Sequence, residues 1–89
     1  MADEQPPDVD IEALQQQLAA FAVEDFLMSA ASTLASLAFA KLEGGDLTQA
    51  RKAIDALAVL LPHVEGGPRG ELERALTNLQ VAYAAAASG

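Results

Sequence analysis

A run of residues without charge, from Phe26 to Ala40, is the feature that most limits how this chain can fold. Wound as a helix at about 100° per residue, its large apolar side chains cover well over half of the circumference. Only a narrow stripe of small hydroxyl residues is left, namely Ser29, Ser32, Thr33 and Ser36. Such a helix has to be buried on several sides, and a chain of 89 residues is too short to surround it. The run therefore predicts that the protein self-associates.

The composition predicts an all-α fold. Twenty alanines and thirteen leucines, with few β-branched or aromatic residues, favour helix throughout the chain. No cysteine is present, so no disulfide can compensate for a small core. Stability has to come from dense helix packing or from a second subunit.

Helix start and stop signals predict one helical domain over 10–87, followed by a loose tail at 88–89. We expect helices over about 10–43, 46–64 and 68–87. The apolar residues in the two halves of the first helix lie on opposite faces, so it either continues, with or without a kink near 23–25, or breaks there. Continuity or a kink is favoured because neither Gly nor Pro marks the junction. Asp46 is placed to cap the second helix, and Pro62 to kink or fray its end.

Connections of about four residues predict that neighbouring helices are antiparallel. We expect a small three-helix unit, preceded by an acidic helical extension, that completes its core as a homodimeric bundle. Apolar seams follow the second helix, at Leu47, Ala50, Ile54, Leu57, Leu61 and Val64, and the third, at Leu72, Leu76, Leu79, Tyr83 and Ala86.

The residues that we expect to form the core or the self-association face come from all three helices. On the first helix they are Phe26, Leu27, Ala30, Ala31, Leu34, Leu37 and Ala38; on the others they are Ile54, Leu57, Leu61, Leu76, Leu79 and Tyr83. The alanines on the first helix would let a second backbone approach closely.

The negative charge of the chain is concentrated at its N-terminus. Residues 1–25 hold seven of the thirteen carboxylates and neither Lys nor Arg, so the rest of the chain is close to neutral. We expect a disordered arm over 1–9. It either docks on a basic protein surface through Asp3, Glu4, Asp8 and Asp10, or only keeps the protein soluble. Five scattered bases are a poor basis for binding nucleic acid directly or an anionic membrane surface.

Residues 46–57, with the sequence DLTQARKAIDAL, resemble the most regular stretch of the bacterial family called domain of unknown function eighteen-forty-four. Thr33, Leu34, Ala35, Ala38 and Leu42 are similar to the small-residue helix of that family, and Leu72, Leu76, Leu79 and Tyr83 to its final helix. The resemblance covers roughly 26–83; Gln80 and Pro62 depart from the pattern. It implies a small, soluble, helical bacterial protein without an assigned activity, and a link to translation.

Patterns typical of catalysis, metal binding or a cofactor are missing from the sequence. His63 is the single histidine, and only Glu65 is close to it along the chain. The hydroxyl stripe has no accompanying base. We therefore expect no catalytic, metal or cofactor-binding residues. An acidic N-terminus without a signal peptide, and an apolar run shorter than the roughly 20 residues of a membrane span, predict a cytoplasmic protein with no span.

Three functional hypotheses follow from these features. The first is a non-enzymatic, self-associating helical protein with a structural or adaptor role. The second is a carrier that holds a small hydrophobic ligand between its apolar helices. The third is an acidic accessory protein, associated with translation, that docks on a basic protein surface.

Overall fold

The computed structural model describes residues 10–89, and these residues form an all-α fold. Its helices are α1 (Ile11–Ala20), α2 (Val23–Glu43), α3 (Leu47–Leu60) and α4 (Arg69–Ser88), with a 3₁₀ turn at Leu61–His63. The described residues include no strand. The predicted arm over 1–9, with Asp3, Glu4 and Asp8, lies outside the described residues.

Two extended residues, Phe21 and Ala22, separate α1 from α2. The preference for one continuous or kinked helix over 10–43 was wrong, and the alternative of a break is the arrangement found, just upstream of 23–25. The break lets the apolar face of α1 point in a different direction from the face that α2 buries against α3 and α4. Glu24 and Asp25 then lie in the first turn of α2, where carboxylates interact favourably with the helix dipole.

The connection between α2 and α3 has the expected turn and cap. Gly45 has a φ of +81°, a backbone conformation that side chains with a Cβ rarely adopt. The Asp46 carboxylate accepts a hydrogen bond of 3.2 Å from the Gln49 backbone N–H. These two residues end one helix and begin the next within three positions.

The end of α3 tightens into the 3₁₀ turn, in which Pro62 occupies one of the first positions. Pro62 has no N–H to donate, which agrees with the end of regular α-helix at Leu60 rather than Val64. Pro68 lies at the N-cap position of α4, and the helix runs to Ser88, one residue into the predicted loose tail.

The core lies between α2, α3 and α4, which all contact one another, whereas α1 contacts none of them. Three larger side chains, Leu57, Val64 and Leu79, are fully buried. The remaining buried apolar residues on α2 and α3 are mostly small, namely Ala31, Ala35, Ala38, Ala50, Ala53 and Ile54; Leu61 in the 3₁₀ turn and Leu72 on α4 are also buried. Small side chains on facing helices permit the close approach that a short chain needs.

By length and composition, α2 is the one helix in the described part of the chain that could cross a membrane. Core helices of soluble proteins meet the same criterion, and α2 packs against both α3 and α4. The criterion is therefore weak support for a span, and the expectation that the chain has none stays a prediction.

Candidate interaction surface

The predicted core or association residues divide into three groups by burial. Six are buried: Ala31, Ala38, Ile54, Leu57, Leu61 and Leu79. Five are half-buried: Leu27, Ala30, Leu34, Leu76 and Tyr83. Phe26 and Leu37 remain 58% and 46% exposed. The described fold thus uses most of this set as its core and leaves part of it uncovered.

The uncovered part forms a strip along α2. Phe26 and Leu37 are eleven positions apart, which is close to three full turns, so they lie on one face. Val23 extends this face toward the start of the helix and is 64% exposed. Ala30 and Leu34 lie between them and are half-buried. We call Val23, Phe26 and Leu37 the α2 strip.

A second uncovered apolar face belongs to α1. Ile11, Leu14 and Leu18 recur at the spacing of one helix face, and each is more than half exposed. No residue of α1 is buried, and Phe21 directly after it is 50% exposed. We call Ile11, Leu14 and Leu18 the α1 stripe. An amphipathic helix of ten residues that packs on nothing is marginal by itself, because most helical stability in proteins comes from burying the apolar face.

A shallow groove lies between α2 and α3, with a volume of about 200 Å³. Its apolar lining comes from Leu34, Leu37, Ala53 and Ala56, and Lys41 and Lys52 border it. Neither lysine forms an ion pair with another residue of the described part. This α2–α3 groove is therefore apolar along its floor and positively charged along its border.

The acid that the structure describes among the predicted docking residues is Asp10. It is exposed, and its carboxylate caps α1 by accepting hydrogen bonds from the backbone N–H groups of Glu12, at 3.1 Å, and Ala13, at 3.4 Å. Asp10 thus has a local structural role, which is compatible with a place at the edge of a docking surface.

Arg51 connects α3 with α4 on the outside of the core. Its guanidinium lies 5.8 Å from the centre of the Tyr83 ring and makes a 3.4 Å ion pair with Asp55. Interaction with the Tyr83 side chain first, and with Asp55 second, raises the pKa of Arg51 above its ordinary value. The arrangement fixes a helix contact and has no features of a reactive site.

Other polar features of the described residues are open to solvent. His63 is exposed, and no three His, Asp or Glu side chains within 10–89 lie close enough together to hold a metal ion. The depression lined by Gly70, Glu73, Arg74, Thr77 and Asn78 is formed by one helix alone, so it has no opposite wall to enclose a ligand.

Sequence reasoning missed two parts of this surface. Ala53 lies beside the predicted seam of α3, yet it is buried against α2 as well as lining the groove. The two lysines were not assigned to any site. Lys41 follows Leu37 by four positions, and Lys52 precedes Ala56 by four, so helical spacing placed each lysine beside an apolar residue. Spacing along each helix does not predict that α2 packs against α3, which is what brings the two lysines to one groove.

No family model, no curated protein and no solved structure matches the chain. The resemblance of residues 26–83 to the family of unknown function stays a prediction.

Proposed function

We propose that the protein is a small, non-enzymatic helical module that acts as a homodimer in a structural or adaptor role. The observation that carries the proposal is the pair of uncovered apolar faces, the α1 stripe and the α2 strip. Exposed aromatic and aliphatic side chains in contiguous strips are typical of surfaces that bind another protein.

The proposed subunit is an antiparallel three-helix unit made of α2, α3 and α4. Two features support it: all three helices contact one another, and α2 and α3 are joined by only three residues. Connections this short favour antiparallel neighbours.

An adaptor needs a second surface for a different partner, and the N-terminal charge suggests its chemistry. Residues 1–25 hold seven carboxylates and no base. We propose that this segment attracts a basic protein, since complementary charge speeds and orients association. The carrier hypothesis has less support, because the α2–α3 groove of about 200 Å³ is smaller than the roughly 300–1,000 Å³ typical of ligand pockets.

Static light scattering of the full chain at micromolar concentration tests the homodimer. We expect a molar mass of twice 9.2 kDa. Phe26→Ser should raise the dissociation constant about tenfold or more, since it removes a large apolar side chain from the proposed interface. Val59→Ser is the matched control, because Val59 is 72% exposed and lies outside both apolar faces. A monodisperse monomer with a cooperative melt would refute the proposal.

A further inference from the structure

We propose that α1 of one copy lies in the α2–α3 groove of a second copy, with the α1 stripe on the apolar floor and the lysines facing the acidic N-terminal segment. This exchange rests on the homodimer proposed above and adds to it the identity of the surfaces in contact. It commits the groove to one occupant, a second copy of the same chain.

The two surfaces match in chemistry. The α1 stripe is apolar and more than half exposed, and the groove floor is formed by Leu34, Leu37, Ala53 and Ala56. Glu12 lies on the polar face of α1, away from the stripe, and the segment 1–25 that contains α1 holds seven acids and no base. Lys41 and Lys52 are two of the five bases in the chain. Apolar contact with the groove floor, and attraction between the lysines and the acidic segment that contains α1, thus favour the same arrangement.

The two surfaces also match in length. Ile11 and Leu18 are seven positions apart, as are Leu34 and Lys41. At 1.5 Å per residue, each pair spans about 11 Å along its helix. The stripe therefore covers the groove from one end to the other.

The length of α1 argues for a second copy and against docking within one chain. Folded back along α2 from the junction at Phe21 and Ala22, the ten residues of α1 would reach about 15 Å. Leu34, where the groove begins, lies eleven positions after Val23, or about 17 Å along α2. Helix α1 would end where the groove starts, so a neighbouring chain has to supply the helix that fills it.

Two full-length variants with altered charges, measured alone and as a mixture, test this arrangement. The groove variant carries Lys41→Glu and Lys52→Glu. The helix variant carries Gln15→Lys and Gln17→Lys, which flank the α1 stripe and leave the Asp10 cap intact. Each variant alone opposes like charges, and we expect its dimer dissociation constant to rise about tenfold. Mixed in equal amounts, the two variants can form a dimer in which both grooves face helices of opposite charge, so the mixture should regain the affinity of the unmodified protein.

Matched controls separate this effect from net charge and from misfolding. Arg69→Glu with Arg74→Glu reverses two positive charges on α4, away from the groove, as the groove variant does on α2 and α3, and should raise the dissociation constant much less. Recovery in the mixture excludes misfolding of either variant, since a misfolded chain would not pair.

The outcomes distinguish the two proposals. If the groove variant dimerises as tightly as the unmodified protein, the proposed docking of α1 in the groove is wrong, and the homodimer proposal still stands. Weakened variants that do not recover on mixing would also overturn it, and would indicate docking within one chain. An unmodified protein that stays monomeric would remove both proposals.

Discussion

At the scale of single residues, a few large side chains hold the three core helices together. Leu57 and Leu79 are fully buried on α3 and α4, and the residues that α2 buries fully are alanines. The core therefore depends on leucines from two helices packed against a smooth alanine surface. Removal of one leucine leaves a cavity that alanines cannot fill.

We expect Leu57→Ala to lower the free energy of unfolding by about 2–5 kcal/mol, since it loses buried apolar area and leaves a cavity. Val59→Ala on the same helix should change it by less than about 0.5 kcal/mol, because Val59 is 72% exposed. Urea unfolding followed by circular dichroism measures both values. Equal losses for the two variants would contradict the core described above.

The Arg51 contact with Tyr83 is also a single-residue feature, and it should not make stability pH-dependent near neutrality. The folded-state pKa of Arg51 is raised, so its contribution is present below the unfolded-state pKa and lost as pH rises through the folded-state pKa. Both values lie far above neutral pH.

At the scale of elements, α1 and α3 begin with similar caps but differ in their contacts with the rest of the fold. Asp46 caps α3, which belongs to the core, and Asp10 caps α1, which contacts none of the core helices. The two caps are alike in chemistry and differ in what they support.

This difference predicts local and global effects. Asp46→Ala should cost about 1 kcal/mol and speed amide exchange throughout α3 by about fivefold. Below the dimer dissociation constant, Asp10→Ala should speed exchange in α1 alone, because α1 contacts no core helix of its own chain. Hydrogen exchange followed by mass spectrometry resolves the two helices; acceleration of α3 by Asp10→Ala to the same degree would show that α1 is part of the core.

The same elements show how far the sequence alone leads. The Asp46 cap, the turn at Gly45 and the seam of α3 follow local rules, because each depends on neighbours within four positions. The break at Phe21 and Ala22 has no Gly or Pro to mark it, so no local rule predicts it, and α1 packs on none of the core helices.

The groove could not be predicted for a related reason. Leu37 and Lys41 come from α2, and Lys52 and Ala56 from α3, so the site exists only once the two helices pack at a definite register. Each helix alone indicates an apolar face beside a lysine. The combination of a charged border and an apolar floor is a property of the pair.

At the scale of the whole molecule, the uncharged run of α2 is too apolar for one chain of 89 residues to cover on every side. The described chain buries one side of α2 against α3 and α4, while the α2 strip and the α1 stripe remain uncovered. In the proposed homodimer, the α1 stripe is buried in the α2–α3 groove, which includes Leu37 of the α2 strip, and the stability of the fold should increase with association.

The melting temperature as a function of protein concentration shows whether a second copy completes the fold, because such a fold is stabilised by mass action. We expect the midpoint to rise steadily when the concentration of the full chain is raised a hundredfold, and the groove variant to need a higher concentration to reach the same midpoint. A cooperative transition whose midpoint stays constant over that range would contradict the account, since the 89 residues would then be stable without a partner.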